Sequence, residues 1–207
     1  MTVRSKSSQK WLQEHNRDQY VKRALMDGYR SRASYKLIEI NQKDKIFKPG
    51  LIVVDLGAAP GGWSQVAAKL VGPEGKIIAS DILNMDPIDK VDFVLGDFTD
   101  FVVLQNILNL LESNLVDLVI SDMAPNMSGI RGVDQTKAMY LIELALDMAC
   151  KVLKPGGNFV VKVFHGEGFD QYMLELKKRF KQVISRKPNA SRSRSREVYV
   201  VAKNFKR

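Results

Sequence analysis

Asp55-Leu56-Gly57-Ala58-Ala59-Pro60-Gly61-Gly62-Trp63 follows directly on the apolar run Leu51-Ile52-Val53-Val54. A short apolar run closing in an acid reads as a buried strand, and the glycines that follow read as a tight turn opening a helix. Glycine lets backbone approach a bound molecule with no Cβ in the way. In open α/β sheets ligands sit just outside the carboxyl ends of the strands. The stretch therefore predicts a small-molecule site of nucleotide-like character at residues 55–63.

On either side, strand and helix patterns alternate. Strands are expected near 51–55, 76–80, 92–95, 116–120, 158–163, 182–186 and 197–202, and helices near 8–26, 33–40, 63–71, 100–112, 133–153 and 169–180. Helix 133–153 carries Ala138, Leu141, Ile142, Ala145, Leu146, Ala149 and Val152 at helical spacing and stops at Lys154-Pro155-Gly156-Gly157. Such alternation predicts an α/β fold, a mostly parallel sheet covered on both faces. The last two strands are joined by a polar link containing Ser191-Arg192-Ser193-Arg194-Ser195-Arg196, too short for a crossover helix. They are expected to form an antiparallel hairpin at the end of the sheet. The Ser-Arg run itself reads equally as a solvated loop or as a loop touching phosphates.

The 207 residues carry a net charge of +9, unevenly spread. Residues 1–36 hold nine Lys/Arg against three Asp/Glu, residues 177–207 twelve against one, and residues 37–176 eleven against nineteen. If the two basic ends meet in the fold they make one positive face for a polyanion; if not, they are separate solvated tails. On the first reading, Lys/Arg at 4, 6, 10, 17, 22, 23, 30 and 32 mainly contact phosphate. The chain is expected to divide into a basic extension over residues 1–30, suited to a polyanion such as RNA, and a folded domain over residues 31–207. One cysteine, no long apolar run and no apolar stretch behind Met1 favour a reducing cytoplasm, with no membrane span and no signal peptide. Two histidines far apart in sequence suggest no metal site. A monomer is the expected state.

The glycine pattern narrows the cofactor. From Gly57 the run lacks the second glycine of a dinucleotide fingerprint, and Gly62 is followed by Trp63-Ser64 rather than the Lys-Ser/Thr of a P-loop. Neither phosphate cradle is present, which favours a cofactor without phosphates, such as S-adenosylmethionine. Asp55, Asp81, Asp97 and Asp122 fall at successive strand ends, where Asp81 can bind ribose hydroxyls and Asp97 can accept from an adenine amino group. Singly each reads as a turn residue; together with the glycine loop they read as a site.

For a methyl donor the acceptor must be inferred. Cys150 lies inside the apolar pattern of helix 133–153 and reads as core, not as a nucleophile for carbon methylation. Ser121-Asp122-Met123-Ala124-Pro125-Asn126 lacks the Pro-Pro-aromatic turn common in amino-group methylation. A hydroxyl acceptor remains, and it needs a base. Lys162, within Val160-Val161-Lys162-Val163-Phe164, is out of place in an apolar strand, and burial there favours a neutral amine able to take a proton. The competing reading is a solvated lysine just past the strand end. Asp122 could orient the acceptor or the lysine.

Arg32-Ala33-Ser34-Tyr35-Lys36-Leu37, Asp55–Trp63, Asp122-Met123-Ala124-Pro125-Asn126, Val161-Lys162-Val163-Phe164 and Ser195-Arg196-Glu197-Val198-Tyr199 stand in one order along nearly the whole chain. In these motifs the sequence resembles the FtsJ/RrmJ family of ribosomal RNA 2′-O-ribose methyltransferases. The resemblance implies a Rossmann-like methyltransferase sheet of about seven strands ending in an antiparallel pair. It implies S-adenosyl-L-methionine as cofactor and large-subunit ribosomal RNA as substrate, at a uridine, as in the short bacterial members. It places a catalytic set on Lys36, Asp122, Lys162 and Glu197, and cofactor contacts on Gly61, Trp63, Asp81, Asp97 and Asp122, beside the Asp55, Gly57 and Gly62 of the glycine loop. Without it, Lys36 and Glu197 read as solvated surface. Tyr199, two residues beyond Glu197 on one strand face, is expected to support the same site. The rival readings are an NAD(P)-dependent oxidoreductase, a non-catalytic RNA-binding assembly factor, and a 2′-O-methyltransferase acting on transfer RNA or a cap.

Overall fold

The computed structural model describes residues 17–112 and 114–207. In chain order the elements are α1 (Gln19–Met26), α2 (Ala33–Asp44), β1 (Ile52–Leu56), α3 (Gly62–Val71), β2 (Lys76–Asp81), β3 (Val91–Leu95), α4 (Phe101–Leu111), β4 (Val116–Ser121), α5 (Arg131–Val152), β5 (Leu153–Phe164), α6 (Phe169–Arg179), β6 (Phe180–Arg186) and β7 (Glu197–Phe205). The seven strands form one sheet in the order β3-β2-β1-β4-β5-β7-β6. Strands β3 to β5 are parallel, and β7 runs antiparallel to both β5 and β6. The expected α/β architecture and the terminal antiparallel pair are both present.

Side chains alternate across the sheet with a period of two. Val54, Leu56, Val119, Phe159, Val161, Val163, Val198 and Val200 face one side, with Ile107 of α4, much of α5, and Tyr172 and Leu176 of α6. Val53, Leu118, Ile120, Val160, Tyr199 and Val201 face the other, against Leu37 and Ile40 of α2 and Trp63, Val66 and Ala67 of α3. Lys162 and Glu197 share the parity of Val160 and Tyr199, so they point to the α2 side. Cys150 packs at the edge of the first cluster, as its helical pattern predicts.

Three boundaries differ from the sequence expectation, each for a local reason. The helix expected over 8–26 breaks at Asp18, whose backbone is extended and whose carboxylate accepts from Tyr20 N at 2.9 Å, capping α1; residues 8–16 lie outside the described residues. Helix α2 runs past residue 40 to Asp44. That buried carboxylate receives Arg186 through Nε and Nη2, both at 2.8 Å, and the Asp44 carbonyl accepts Lys203 Nζ at 2.5 Å. The last turn of α2 is thus held by β6 and β7. Strand β5 starts at Leu153, opposite Val116, and resumes pairing at Asn158, opposite Leu118. Helix α5 does end just before this run, at Val152, but β5 begins at once at Leu153, and Lys154-Pro155-Gly156-Gly157 forms a bulge within it rather than a link ahead of a strand starting at 158.

Candidate active site

A cleft of about 510 Å³ opens at the carboxyl edge of β1, β2, β3 and β4. Gly57 and Ala59 line it from the glycine turn, Ser80 and Asp81 from β2, Gly96 and Asp97 from the end of β3, and Asp122 to Asn126 from the end of β4. Lys137, Tyr140 and Leu141 of α5 close the far wall. Asp81 ties its surroundings together: Oδ2 accepts from Ala59 N at 2.9 Å and Oδ1 from Leu83 N at 2.8 Å. Asp97 Oδ1 accepts from the Thr99 amide and hydroxyl, at 2.9 and 2.8 Å, shaping a local turn. Each carboxylate oxygen carries two lone pairs, so both acids keep acceptor capacity for a ligand. Asp134, buried in the first turn of α5, receives Ser128 N and Oγ at 2.7 Å and Gly129 N at 3.0 Å, fixing the loop that follows Asp122. These hydrogen bonds hold the Asp134 carboxyl below the usual carboxylate range.

The missing Cβ of each glycine in the turn meets a different neighbour. A Cβ on Gly57 would stand 2.2 Å from Met123 Cγ, which itself lines the cleft. On Gly61, at φ +106°, it would stand 2.6 Å from Ile88 Cδ1 and 3.0 Å from Arg30 Nη1; on Gly62, 2.3 Å from Ser31 Oγ. At 61 and 62 the protein's own side chains take the space left by the missing Cβ. Trp63 is buried, donating from Nε1 to Ala33 O at 2.9 Å and packing on Tyr199 at a ring separation of 5.6 Å. Of the expected cofactor residues, Gly57, Asp81, Asp97 and Asp122 line the cleft, while Asp55, Gly61, Gly62 and Trp63 sit behind its wall.

Beside the cleft runs a chain of five polar side chains. Lys162 and Tyr199 are direct partners across β5 and β7, and α2 lays Lys36 over them. Lys36 Nζ lies 2.7 Å from Glu197 Oε1 and donates to Tyr199 Oη at 3.0 Å. Tyr199 Oη donates to Asp122 Oδ1 at 2.6 Å, and Lys162 Nζ reaches that same oxygen at 3.0 Å and the Asp122 carbonyl at 2.5 Å. Lys36 and Lys162 are 8% and 7% exposed, so neither is the solvated surface residue of the competing reading. Burial alone would raise the Asp122 carboxyl; the Lys162 and Lys36 ammonium groups and the Tyr199 hydroxyl outweigh it and hold it below its ordinary value. Glu197 is lowered in the same way, burial being outweighed chiefly by Lys36. Burial, with Asp122 and Glu197 close by, pushes the Tyr199 phenol well above its ordinary value, so it stays a donor. Asp122 belongs to both the cleft and the polar chain.

The sequence matches the family described as FtsJ-like methyltransferase over residues 29–205. The chain belongs to the FtsJ-like methyltransferase family. Among its relatives, proteins named Ribosomal RNA large subunit methyltransferase E from Cellvibrio japonicus and Marinobacter nauticus are 66% and 62% identical, over 98% and 99% of this chain and 96% and 99% of theirs. A solved structure of a ribosomal RNA methyltransferase from Plasmodium falciparum superposes with a TM-score of 0.76 at 31% identity, covering 86% of this chain and 98% of that one. A methyltransferase structure from Streptococcus mutans shares the fold, with a TM-score of 0.50 at 14% identity over 84% of this chain and 95% of that one.

In this FtsJ-like methyltransferase the described parts of the two basic ends adjoin. Ala24, Tyr35 and Ala190 pack together, Arg32 Nη1 pairs with Asp18 at 2.5 Å, and Glu39 accepts from Asn189 N and Ala190 N at 2.6 and 2.9 Å. Several of the cations are engaged within the protein: Arg32 as above, Arg30 on three carbonyls, and Lys187 on Ser195 O and Glu197 O at 2.6 Å each. The sequence reading missed Lys137 and Tyr140, which sit one helical turn apart on α5, and Ser64, whose Oγ donates to Asp55 Oδ2 at 2.6 Å. The apolar stripe of α5 gives no sign of the first two; Ser64 was legible only as the residue after Trp63. Among the described residues no group of His, Cys, Asp or Glu is arranged to hold a metal ion, and no helix is long and apolar enough to cross a membrane.

Asp55 yields a pH prediction. Burial, against the Ser64 hydrogen bond and with Asp122 and Asp81 nearby, pushes its carboxyl up to about 7. A folded value above the unfolded one means that its contribution to stability is complete below about pH 4 and is lost as pH rises through about 7. Asp55→Asn has no such loss. In the cofactor-free protein its stability advantage over wild type is expected to grow between about pH 4 and about pH 8, by on the order of 3–4 kcal/mol. Thermal melts across that range check it; parallel curves for the two proteins would mean that Asp55 is ionised in the fold.

Proposed function

We propose that this chain transfers a methyl group from S-adenosyl-L-methionine to the ribose 2′-hydroxyl of a uridine in large-subunit ribosomal RNA, with Lys162 as the base. The observation that carries this reading is the double membership of Asp122, which lines the cleft and accepts from Lys162 and Tyr199 on one oxygen. A cofactor cleft and a buried lysine therefore share one carboxylate. The names of the curated relatives supply the large-subunit ribosomal RNA.

The residues fit that cofactor. A volume of about 510 Å³ lies inside the usual span of ligand pockets, about 300–1,000 Å³. Three carboxylates on its walls suit a positively charged ligand bearing a ribose diol and an amino group. Asp55 Oδ1 and Ser80 Oγ are buried with no hydrogen-bond partner among the described residues, and Ser80 lines the cleft. Asp81 would hold the ribose, Asp97 the adenine edge, and Gly57 and Asp122 the methionine end. S-adenosylmethionine, when bound, supplies a methyl group already activated on a sulfonium. The rest falls to the chain's own residues, and most of it is alignment. Lys36 and Glu197 hold the target ribose beside Lys162. Lys162, an ammonium paired with Asp122 in the resting protein, gives up one proton to water before the transfer. The neutral amine then takes the hydroxyl proton as the oxygen gains the methyl group, and the regenerated ammonium faces Asp122 at 3.0 Å. The basic extension, residues 1–30 apart from Arg30, whose guanidinium is engaged on backbone carbonyls, contacts RNA phosphates together with the Ser-Arg loop and sets affinity rather than sequence choice.

The test is transfer of labelled methyl from S-adenosylmethionine to protein-free ribosomal RNA, to large subunits lacking the modification, and to transfer RNA. Label recovered as a ribose methyl in large-subunit RNA is the expected result, falling steeply with added salt. Label in transfer RNA alone would move the substrate class. Cofactor binding with no label in any RNA would favour an assembly factor.

A further inference from the structure

Arg30 sits between α1 and α2, among the cations expected to contact phosphate, yet three of its five side-chain N–H donors are engaged on backbone carbonyls. Nη1 donates to Asp86 O at 2.6 Å and to Pro60 O at 3.2 Å, and Nη2 donates to Pro87 O at 2.8 Å. Pro60 belongs to the glycine turn, and Asp86 and Pro87 to the irregular segment 82–90 that follows Asp81. Both segments supply cleft residues: Gly57 and Ala59 from one, Ile82 and Leu83 from the other. The arginine is itself held from behind. Its backbone N donates to Gln65 Oε1 at 2.8 Å, and Gln65 Nε2 donates to Gly28 O at 3.1 Å, fixing residues 28–30 to the first turn of α3.

The missing Cβ of Gly61 is part of the same arrangement, because its place is taken by Ile88 and by Arg30 Nη1 and Cδ, at 2.6, 3.0 and 3.2 Å. Segment 82–90 is also held by Ile88, packed beside Ala58, Ala79 and Met85, and by Val91 N donating to Ile88 O at 3.1 Å. Met85 is buried against Ala58 and Ala79, and Leu83 N reaches Asp81. Asp81 thus joins the two segments from inside the cleft and Arg30 joins them from outside. A planar guanidinium with several donors in fixed directions can bridge three carbonyls from two segments; a lysine ammonium on a flexible stem is a poor substitute.

We propose that Arg30 is a positioning residue of the cofactor cleft, clamping the glycine turn to segment 82–90, rather than a phosphate contact for RNA. This rests on reading the cleft as the S-adenosylmethionine site. The experiment compares wild type with Arg30→Ala, Arg30→Lys and Arg30→Gln. It measures cofactor affinity by calorimetry, KM for cofactor and kcat separately, RNA affinity against salt, and amide exchange over 82–90. In Arg30→Ala both the dissociation constant and KM for S-adenosylmethionine are expected to rise about tenfold, the scale of losing hydrogen bonds from a charged donor. Amides in 82–90 exchange faster, while kcat at saturating cofactor and the salt slope of RNA binding keep their wild-type values. Arg30→Lys recovers part of the loss. Arg30→Gln, which keeps more of the side chain in place, shows the same split between KM and kcat should the alanine variant fold poorly. Wild-type cofactor affinity in the alanine and glutamine variants overturns the proposal. So does a loss of RNA affinity with the salt slope reduced by about one, the mark of a lost phosphate contact. Wild-type protein that fails to bind S-adenosylmethionine overturns the cofactor reading instead.

Discussion

Lys162→Ala is expected to lower kcat for RNA methylation about 10²–10⁴-fold, the scale of losing a positioned proton acceptor. Cofactor affinity stays close to wild type, because Lys162 is absent from the cleft walls and meets the cleft only through Asp122. Two further variants separate its roles. Lys162→Met keeps the buried stem and removes the amine, so it should be as inactive as the alanine variant and better folded. Lys162→Arg keeps a cation beside Asp122 yet cannot give up its proton in a protein. If Lys162 is the base, arginine fails as badly as methionine. If its work is to supply a positive charge, arginine restores activity. Single-turnover rates at saturating cofactor make the comparison, with thermal melts to confirm that each variant is folded.

Asp122→Ala carries the largest combined effect. Its Oδ1 accepts from both Lys162 and Tyr199, and Lys36 lies one hydrogen bond further on. Without the carboxylate, Glu197 is the one acid left in this polar network for two buried ammonium groups. Removing one partner of a buried ion pair costs about 3–5 kcal/mol, so a large fall in melting temperature is expected along with loss of methyl transfer. Asp122→Asn keeps an acceptor oxygen and should cost less. The pH dependence gives an independent check. The folded Asp122 carboxyl lies below its unfolded value, so its stabilisation is present above about pH 4 and is lost as pH falls through the folded value. Asp122→Asn removes that loss, and its melting temperature should fall less than wild type's on acidification below about pH 4. Glu197→Gln should flatten part of the same limb, because Glu197 is lowered too. Acid limbs matching wild type in both variants would show that these carboxyls are not held charged by the two lysines.

The alternation of strands and helices, the terminal antiparallel pair and the place of the glycine turn were legible in the sequence because each rests on local patterning. Lys162 was legible as a cation in an apolar strand. What escaped depends on contacts between distant parts of the chain. Lys36 and Glu197 meet across 161 positions, and only the family resemblance placed them together. The last turn of α2 is held by Arg186, 142 positions away. The glycines were recognised, but what occupies their missing Cβ positions at 61 and 62 was not, since Arg30, Ile88 and Ser31 come from other segments. The described parts of the basic ends adjoin, yet counting charges could not tell which of their cations face outward and which are engaged with carbonyls and carboxylates inside.

The place of β7 in the sheet has a consequence for the order of events during synthesis. Among the described residues β6 pairs only with β7, and β7 is made later. As the chain emerges, β1 to β5 can assemble with their helices, while β6 has no edge to join until β7 slots in beside β5. That late insertion also brings Glu197 and Tyr199 to Lys36, a residue made much earlier. The cleft can therefore form on a nascent chain, while the polar network joining Lys36, Glu197, Tyr199 and Asp122 is completed only when the last strand docks.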